Sequence, residues 1–129
     1  MPDYDADRFH PPAPLANVTL QHPTNGKKAT DVRMLLDSGA DATLIPQAAL
    51  DPLEISADTG EIYELMAFDG TLSHAFPVRL DLVFLNKIFR GRYLVIQGDW
   101  GFLGRDILNF VPVLLDGPAL TWQEFRQSK

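Results

Sequence analysis

Asp37 is the residue of this chain best placed to do chemistry. It closes the run Asp31-Val32-Arg33-Met34-Leu35-Leu36 and opens Ser38-Gly39-Ala40-Asp41-Ala42-Thr43. A carboxylate at the end of a buried apolar strand is expensive unless it is paired, hydrogen-bonded or protonated. Gly39 permits a sharp turn and close backbone approach two residues later. The Ser38 hydroxyl between them can fix the loop by hydrogen bonding. A tight loop that presents one carboxyl in this way is a candidate for general acid and base work.

The other reactive groups offer less. Asp58-Thr59-Gly60 repeats the Asp-hydroxyl-Gly pattern, but it follows Glu54-Ile55-Ser56-Ala57 rather than an apolar strand and reads as a surface turn. Asp3, Asp5 and Asp7 have the spacing that starts a calcium loop. Arg8 then stands where Gly is needed and Pro14 where Glu is needed. His10, His22 and His74 form no pair at ligand spacing, so no metal is expected. Cysteine is absent, which excludes a disulfide framework, a thiol nucleophile and a cysteine zinc site. No serine sits in a Gly-x-Ser-x-Gly elbow. Nothing calls for a cofactor.

The elements that must position Asp37 have β grammar. Residues 1–14 read as an extended Pro/Asp-rich arm, with Pro11, Pro12 and Pro14 biasing it toward unpaired backbone. Residues 15–129 read as one domain. In it, Ala16 to Gln21 alternates with period two, Asn25-Gly26 marks a hairpin turn, and the strand ending at Leu36 reads as central and buried on both faces. Strands are expected over 62–67 and 73–78 around an Asp69-Gly70 turn, with 79–84 continuing the second arm. A further strand is expected over 89–96, and a third hairpin around Asp116-Gly117. Short helical pieces are expected at 46–50 and 107–109. Many short strands with turn residues between them indicate an all-β sandwich or barrel.

Composition agrees with one globular domain. The chain has 129 residues, 46 % apolar and 22 % charged, enough for a single core. Its net charge of −6 argues against a nucleic-acid partner, which needs a basic stripe. No run approaches the roughly 18 apolar residues of a membrane span. The acidic start lacks a secretory apolar region, so a cytoplasmic location is expected.

Leu35-Leu36-Asp37-Ser38-Gly39-Ala40-Asp41 resembles the catalytic loop of the retropepsin-like aspartic proteases, the retroviral and retroelement type. Gly101-Phe102-Leu103-Gly104-Arg105-Asp106-Ile107-Leu108-Asn109 is similar to the late apolar-apolar-Gly-Arg-Asn/Asp-x-Leu segment of that family. The order of elements fits as well, and the resemblance covers residues 15–122. A β-barrel ligand binder would leave the two motifs unexplained together.

The resemblance implies an all-β, retropepsin-like closed barrel, the acid-protease fold, with a flap hairpin and one short helix, active as a C2 homodimer. Aspartic proteolysis needs two carboxyls sharing one proton, and one catalytic triplet per chain supplies half of them. The implied function is an aspartic endopeptidase that hydrolyses an extended polypeptide by water attack through an Asp37 pair across the dimer axis. The alternative is a catalytically silent dimerisation or peptide-binding module with the same fold. By resemblance, Asp37 is catalytic, while Ser38 bonds across the axis and Gly39 contacts substrate. Asp41 reads either as a surface charge or as the partner of Arg105 in a brace for the loop. Asp106 is expected to cap the short helix. Phe68, Asp69 and Gly70 would form the flap tip, with Trp100 and Phe102 in the pocket wall.

Overall fold

A computed structural model describes residues 3–55, 63–66 and 69–126 of the chain. Two long strands come first, β2 (Ala13–Gln21) and β3 (Lys28–Leu36), after a two-residue β1 (Tyr4–Asp5). Alternation in β2 puts Ala16, Val18 and Leu20 on the buried face, as period two requires. The turn between β2 and β3 forms where Asn-Gly predicts it. His22 Nδ1 accepts the Thr24 and Asn25 backbone N–H groups at 3.1 Å, and Gly26 takes φ +79°.

The chain continues through β4 (Leu44–Pro46), a 3-10 helix (Gln47–Leu53), β5 (Tyr63–Met66), β6 (Leu72–Phe84) and β7 (Lys87–Ile96). It ends with β8 (Gly101–Leu103), a one-turn helix α1 (Arg105–Leu108), β9 (Val113–Asp116) and β10 (Thr121–Glu124). The 73–78 and 79–84 segments are one continuous strand, β6, as expected. The expected strand over 62–67 is described only as Tyr63–Met66, and Phe68 and the Asp58-Thr59-Gly60 triplet lie outside the described residues.

The main sheet runs β1-β2-β3-β8-β4-β7-β6-β5 and closes because β2 also pairs with β6 at Thr19↔Val83, Leu20↔Leu82 and Gln21↔Asp81. The result is the closed barrel expected from the sequence. Its core includes Val18, Leu20, Met34, Ile45, Leu80, Leu82, Val95 and Leu103. Full burial of each large aliphatic side chain contributes about 1.5–3 kcal/mol.

Besides β1, two short strands escaped sequence reading. β8 pairs in parallel with β3 through Met34↔Gly101, Leu35↔Phe102 and Leu36↔Leu103. β4 pairs in parallel with β7, and its Leu44 also faces Phe102 of β8 in antiparallel sense. Each is three residues long, too short to show a period, and exists only because long-range partners complete its ladder. The close approach at β8 needs Gly101, where a Cβ would run into the Leu44 carbonyl oxygen and lie 2.7 Å from Met34 Sδ.

Both ends of the described chain, residues 3–5 and 121–125, are fastened to the rest of the fold. The expectation of unpaired backbone before residue 15 is corrected: β1 pairs with β2 at Tyr4↔Pro14 and Asp5↔Ala13. Asp3 bridges to Thr121, and the Tyr4 N–H donates to the Leu120 carbonyl at 2.9 Å. The β9–β10 hairpin forms a separate two-stranded sheet where the Asp116-Gly117 turn was expected. Trp122 anchors it, 2 % exposed, with Nε1 donating to the Leu15 carbonyl at 2.9 Å.

Candidate active site

β3 delivers Asp37 to the mouth of an open cleft of about 1320 Å³. The Asp37 N–H donates to the Leu103 carbonyl at 3.0 Å, which continues the β3–β8 ladder by one residue and fixes where the strand ends. The chain then turns tightly. The Gly39 N–H donates to Asp37 Oδ1 at 3.0 Å, and the Ala40 N–H to the Asp37 carbonyl at 3.1 Å. One carboxylate oxygen is thus held by backbone, and among the described residues no hydrogen bond is made to the other. In the single chain Asp37 and Leu36 are both half-buried, so the strand end is not covered on both faces as its sequence suggested. The open side is the cleft.

A second loop locks the first. Arg105 N–H donates to the Ala40 carbonyl at 2.9 Å, and Arg105 Nη1 to the Ser38 carbonyl at 2.8 Å. The pairing of Arg105 with Asp41 is not made. Among the described residues no ion pair joins them, and the exposed Asp41 stands at the cleft rim. The guanidinium reaches the loop through backbone oxygen instead, because Ser38 turns its carbonyl toward α1. The brace survives with a different acceptor.

Asp106 does not cap α1. The N-cap position is Gly104, with no side-chain cap bond. Asp106 instead grips Thr43: the Thr43 hydroxyl donates to Oδ1 at 2.6 Å and the Thr43 N–H to Oδ2 at 3.1 Å. Thr43 Oγ1 also accepts the Gly104 N–H at 3.0 Å. Thr43 is 1 % exposed, and its buried hydroxyl is satisfied. Sequence reading passed over it. The available clue was a hydroxyl residue directly before the apolar Leu44-Ile45 pair, a weak one without knowledge of its partner.

The contact between the loops leaves no room at Gly104. A Cβ there would lie 2.7 Å from the Ala42 carbonyl carbon and oxygen and 3.0 Å from the Ala40 oxygen. Gly104 is therefore required by packing.

The β5–β6 hairpin forms one side of the cleft, through Leu65, Met66, Ser73 and His74. Its turn carries Gly70 at φ +85°. The Thr71 hydroxyl and backbone N–H beside Asp69 hold that carboxyl below its usual range. Asp69 and Gly70 are exposed and lie outside the cleft lining. Phe102 lines the cleft as expected, together with Leu44, Phe76, Val95 and Ile96. Trp100 does not. Its ring packs against Phe9, with centroids 5.1 Å apart and planes at 78°. Beneath the site, burial pushes the Tyr93 phenol up to about 12, with the Asp106 and Asp81 charges acting in the same direction. Its hydroxyl donates to the Phe89 carbonyl at 2.7 Å.

No protein-family model matches the chain, and no curated protein matches it. Solved structures do. EIAV protease in complex with the inhibitor HBY-793 aligns with a TM-score of 0.56 and 24 % identity, covering 76 % of this chain and 86 % of that one. A retropepsin-like aspartic protease from Rickettsia conorii aligns with a TM-score of 0.51 and 17 % identity, covering 100 % of this chain and 84 % of that one. The barrel is the retropepsin-like fold.

Proposed function

We propose that this retropepsin-fold chain is one half of an aspartic endopeptidase, completed by a second copy of itself. The observation that carries the reading is the placement of Asp37. It stands at the end of a barrel strand, one carboxylate oxygen held by the Gly39 N–H, facing a cleft whose side is a β-hairpin.

The chemistry follows from the number of carboxyls. A single Asp37 cannot act as base and acid in the same step. Two of them at a two-fold axis share one proton. The ionised Asp37 takes a proton from a water as its oxygen bonds to the scissile carbonyl carbon. The protonated Asp37 of the other copy gives its proton to the carbonyl oxygen. The tetrahedral diol then collapses: the Asp37 that took the water's proton gives it to the nitrogen, the other Asp37 takes a proton from a diol hydroxyl, the C–N bond breaks, and the amine and carboxylic acid products form with the pair again singly protonated. The exposed Ser38 hydroxyl is available for a bond across the axis. The β5–β6 hairpin serves as the flap, excluding water and adding strand-type hydrogen bonds to an extended peptide.

Exposed apolar side chains at the tail hairpin support the reading of a second copy. Leu114, Leu115, Leu120 and Phe125 are 42, 53, 41 and 50 % exposed and close together in sequence. The deciding experiment compares wild type with Asp37→Asn on a peptide library. Cleavage by the wild type, inhibition by a pepstatin-type compound and loss of cleavage in an Asp37→Asn protein that still dimerises are the expected results. Dimerisation and peptide binding without cleavage by the wild type would establish the silent module instead.

A further inference from the structure

We propose that Phe9, in the segment ahead of the barrel, is a positioning residue for the wall of the Asp37 cleft, acting through Trp100. The substrate part of this inference rests on the proteolytic reading; the seating of Trp100 does not.

Phe9 and Trp100 meet edge to face, the arrangement favoured by the ring quadrupoles. Both rings are half-buried. Phe9 is held from both sides. Ahead of it, Asp5 Oδ1 accepts the Asp7 N–H at 2.9 Å and the Arg8 N–H at 3.0 Å, and Oδ2 accepts Arg8 Nη1 at 3.0 Å. Behind it, β2 starts at Ala13, which is paired with Asp5. Phe9 therefore rides on a closed loop pinned at its base.

Trp100 ends the connection between β7 and β8. Ile96 and Gln97 enter that connection from the cleft wall, and Phe102 lies just beyond it in the wall again. Gln97, Gly98 and Asp99 are exposed, and Gly98 takes φ +133°. Among the described residues, no side-chain hydrogen bond or ion pair ties Gln97 or Asp99 to the barrel. The ring contact with Phe9 is the side-chain anchor of this loop. Since Trp100 is outside the cleft lining, Phe9 sets the position of the wall without touching the cleft.

The test uses the full chain with Phe9→Ala, Phe9→Leu and Phe9→Tyr. Phe9→Leu keeps apolar bulk should Phe9→Ala fail to fold, and Phe9→Tyr keeps the ring. The chain has two tryptophans, and Trp122 is fully buried, so acrylamide quenching reports Trp100. Phe9→Ala and Phe9→Leu are expected to increase quenching. They should raise KM roughly three- to tenfold, the range an aromatic pair supplies, with kcat within about twofold. Phe9→Tyr is expected to restore both. Unchanged quenching overturns the proposal, and so does increased quenching with an unchanged KM. If the wild type cleaves no peptide, the proteolytic reading fails by itself. The positioning role is then judged by amide exchange over residues 95–103, which must accelerate in Phe9→Leu and not in Phe9→Tyr; equal exchange in both overturns it.

Discussion

Thr43 and Asp106 are joined twice, hydroxyl to Oδ1 at 2.6 Å and backbone N–H to Oδ2 at 3.1 Å, although they lie on opposite sides of the β5–β6 hairpin in sequence. This pair ties the loop that carries Asp37 to the turn that carries Arg105. The first bond is short because its acceptor is a carboxylate, and charge-assisted bonds of this kind are the strong ones. The two segments are therefore held together by a clamp outside the cleft lining.

Thr43→Val keeps the shape and removes the hydroxyl. It strands the buried Gly104 N–H and one Asp106 oxygen. A loss of roughly 1–3 kcal/mol in chemical denaturation is expected, from the desolvation left uncompensated. Thr43→Ser retains both bonds and should lose less. A Thr43→Val protein as stable as wild type would show that the hydroxyl bonds do not matter here.

Arg105→Lys retains the charge but not the planar fork that lets the guanidinium reach the Ser38 carbonyl. Lower peptide hydrolysis with a melting temperature close to wild type is the expected result. Asp41→Asn should leave the monomer fold and its stability unchanged, since Arg105 does not depend on Asp41. A double-mutant cycle for stability checks the point: a coupling clearly above about 0.5 kcal/mol would restore the direct pairing.

Leu114→Glu probes the second copy. Leu114 lies opposite Gln123 in the hairpin register, whereas the buried Trp122 faces Leu115. The substitution therefore places a charge away from the Trp122 anchor. The variant should fold, sediment as a monomer at concentrations where wild type is a dimer, and lose hydrolysis. A dimeric, active Leu114→Glu protein would move the interface elsewhere.

Tyr93 supplies a pH dependence with a definite sign. Its phenol is raised to about 12 in the fold, against about 10 in an unfolded chain. Between these values the folded state holds the proton that the unfolded state has lost. The Tyr93 contribution is thus fully present below about pH 10 and fades as the pH rises toward 12. Alkaline unfolding followed in wild type and Tyr93→Phe should show a shallower pH dependence in the variant. At pH 11 folded wild type and Tyr93→Phe should show nearly the same phenolate absorbance, because Tyr93 is still protonated there.

The sequence alone determined the parts of the protein that are local. Period-two alternation set β2, and Asn25-Gly26, Asp69-Gly70 and Asp116-Gly117 set the hairpin turns, because a turn needs only its own few residues to adopt the required backbone angles. Asp37-Ser38-Gly39 announced a carboxyl on a tight loop for the same reason. Tertiary structure decided what depends on partners distant in the chain. β4 and β8 exist as strands only because β7 and β3 lie alongside them. Arg105 chose the Ser38 carbonyl over the Asp41 carboxylate, and Asp106 chose Thr43 over a helix cap, because the barrel brings residues 38–43 against 104–106 with those groups in reach. A long, flexible side chain such as arginine carries no mark in its sequence of which acceptor it will meet; the closure of the barrel makes that selection.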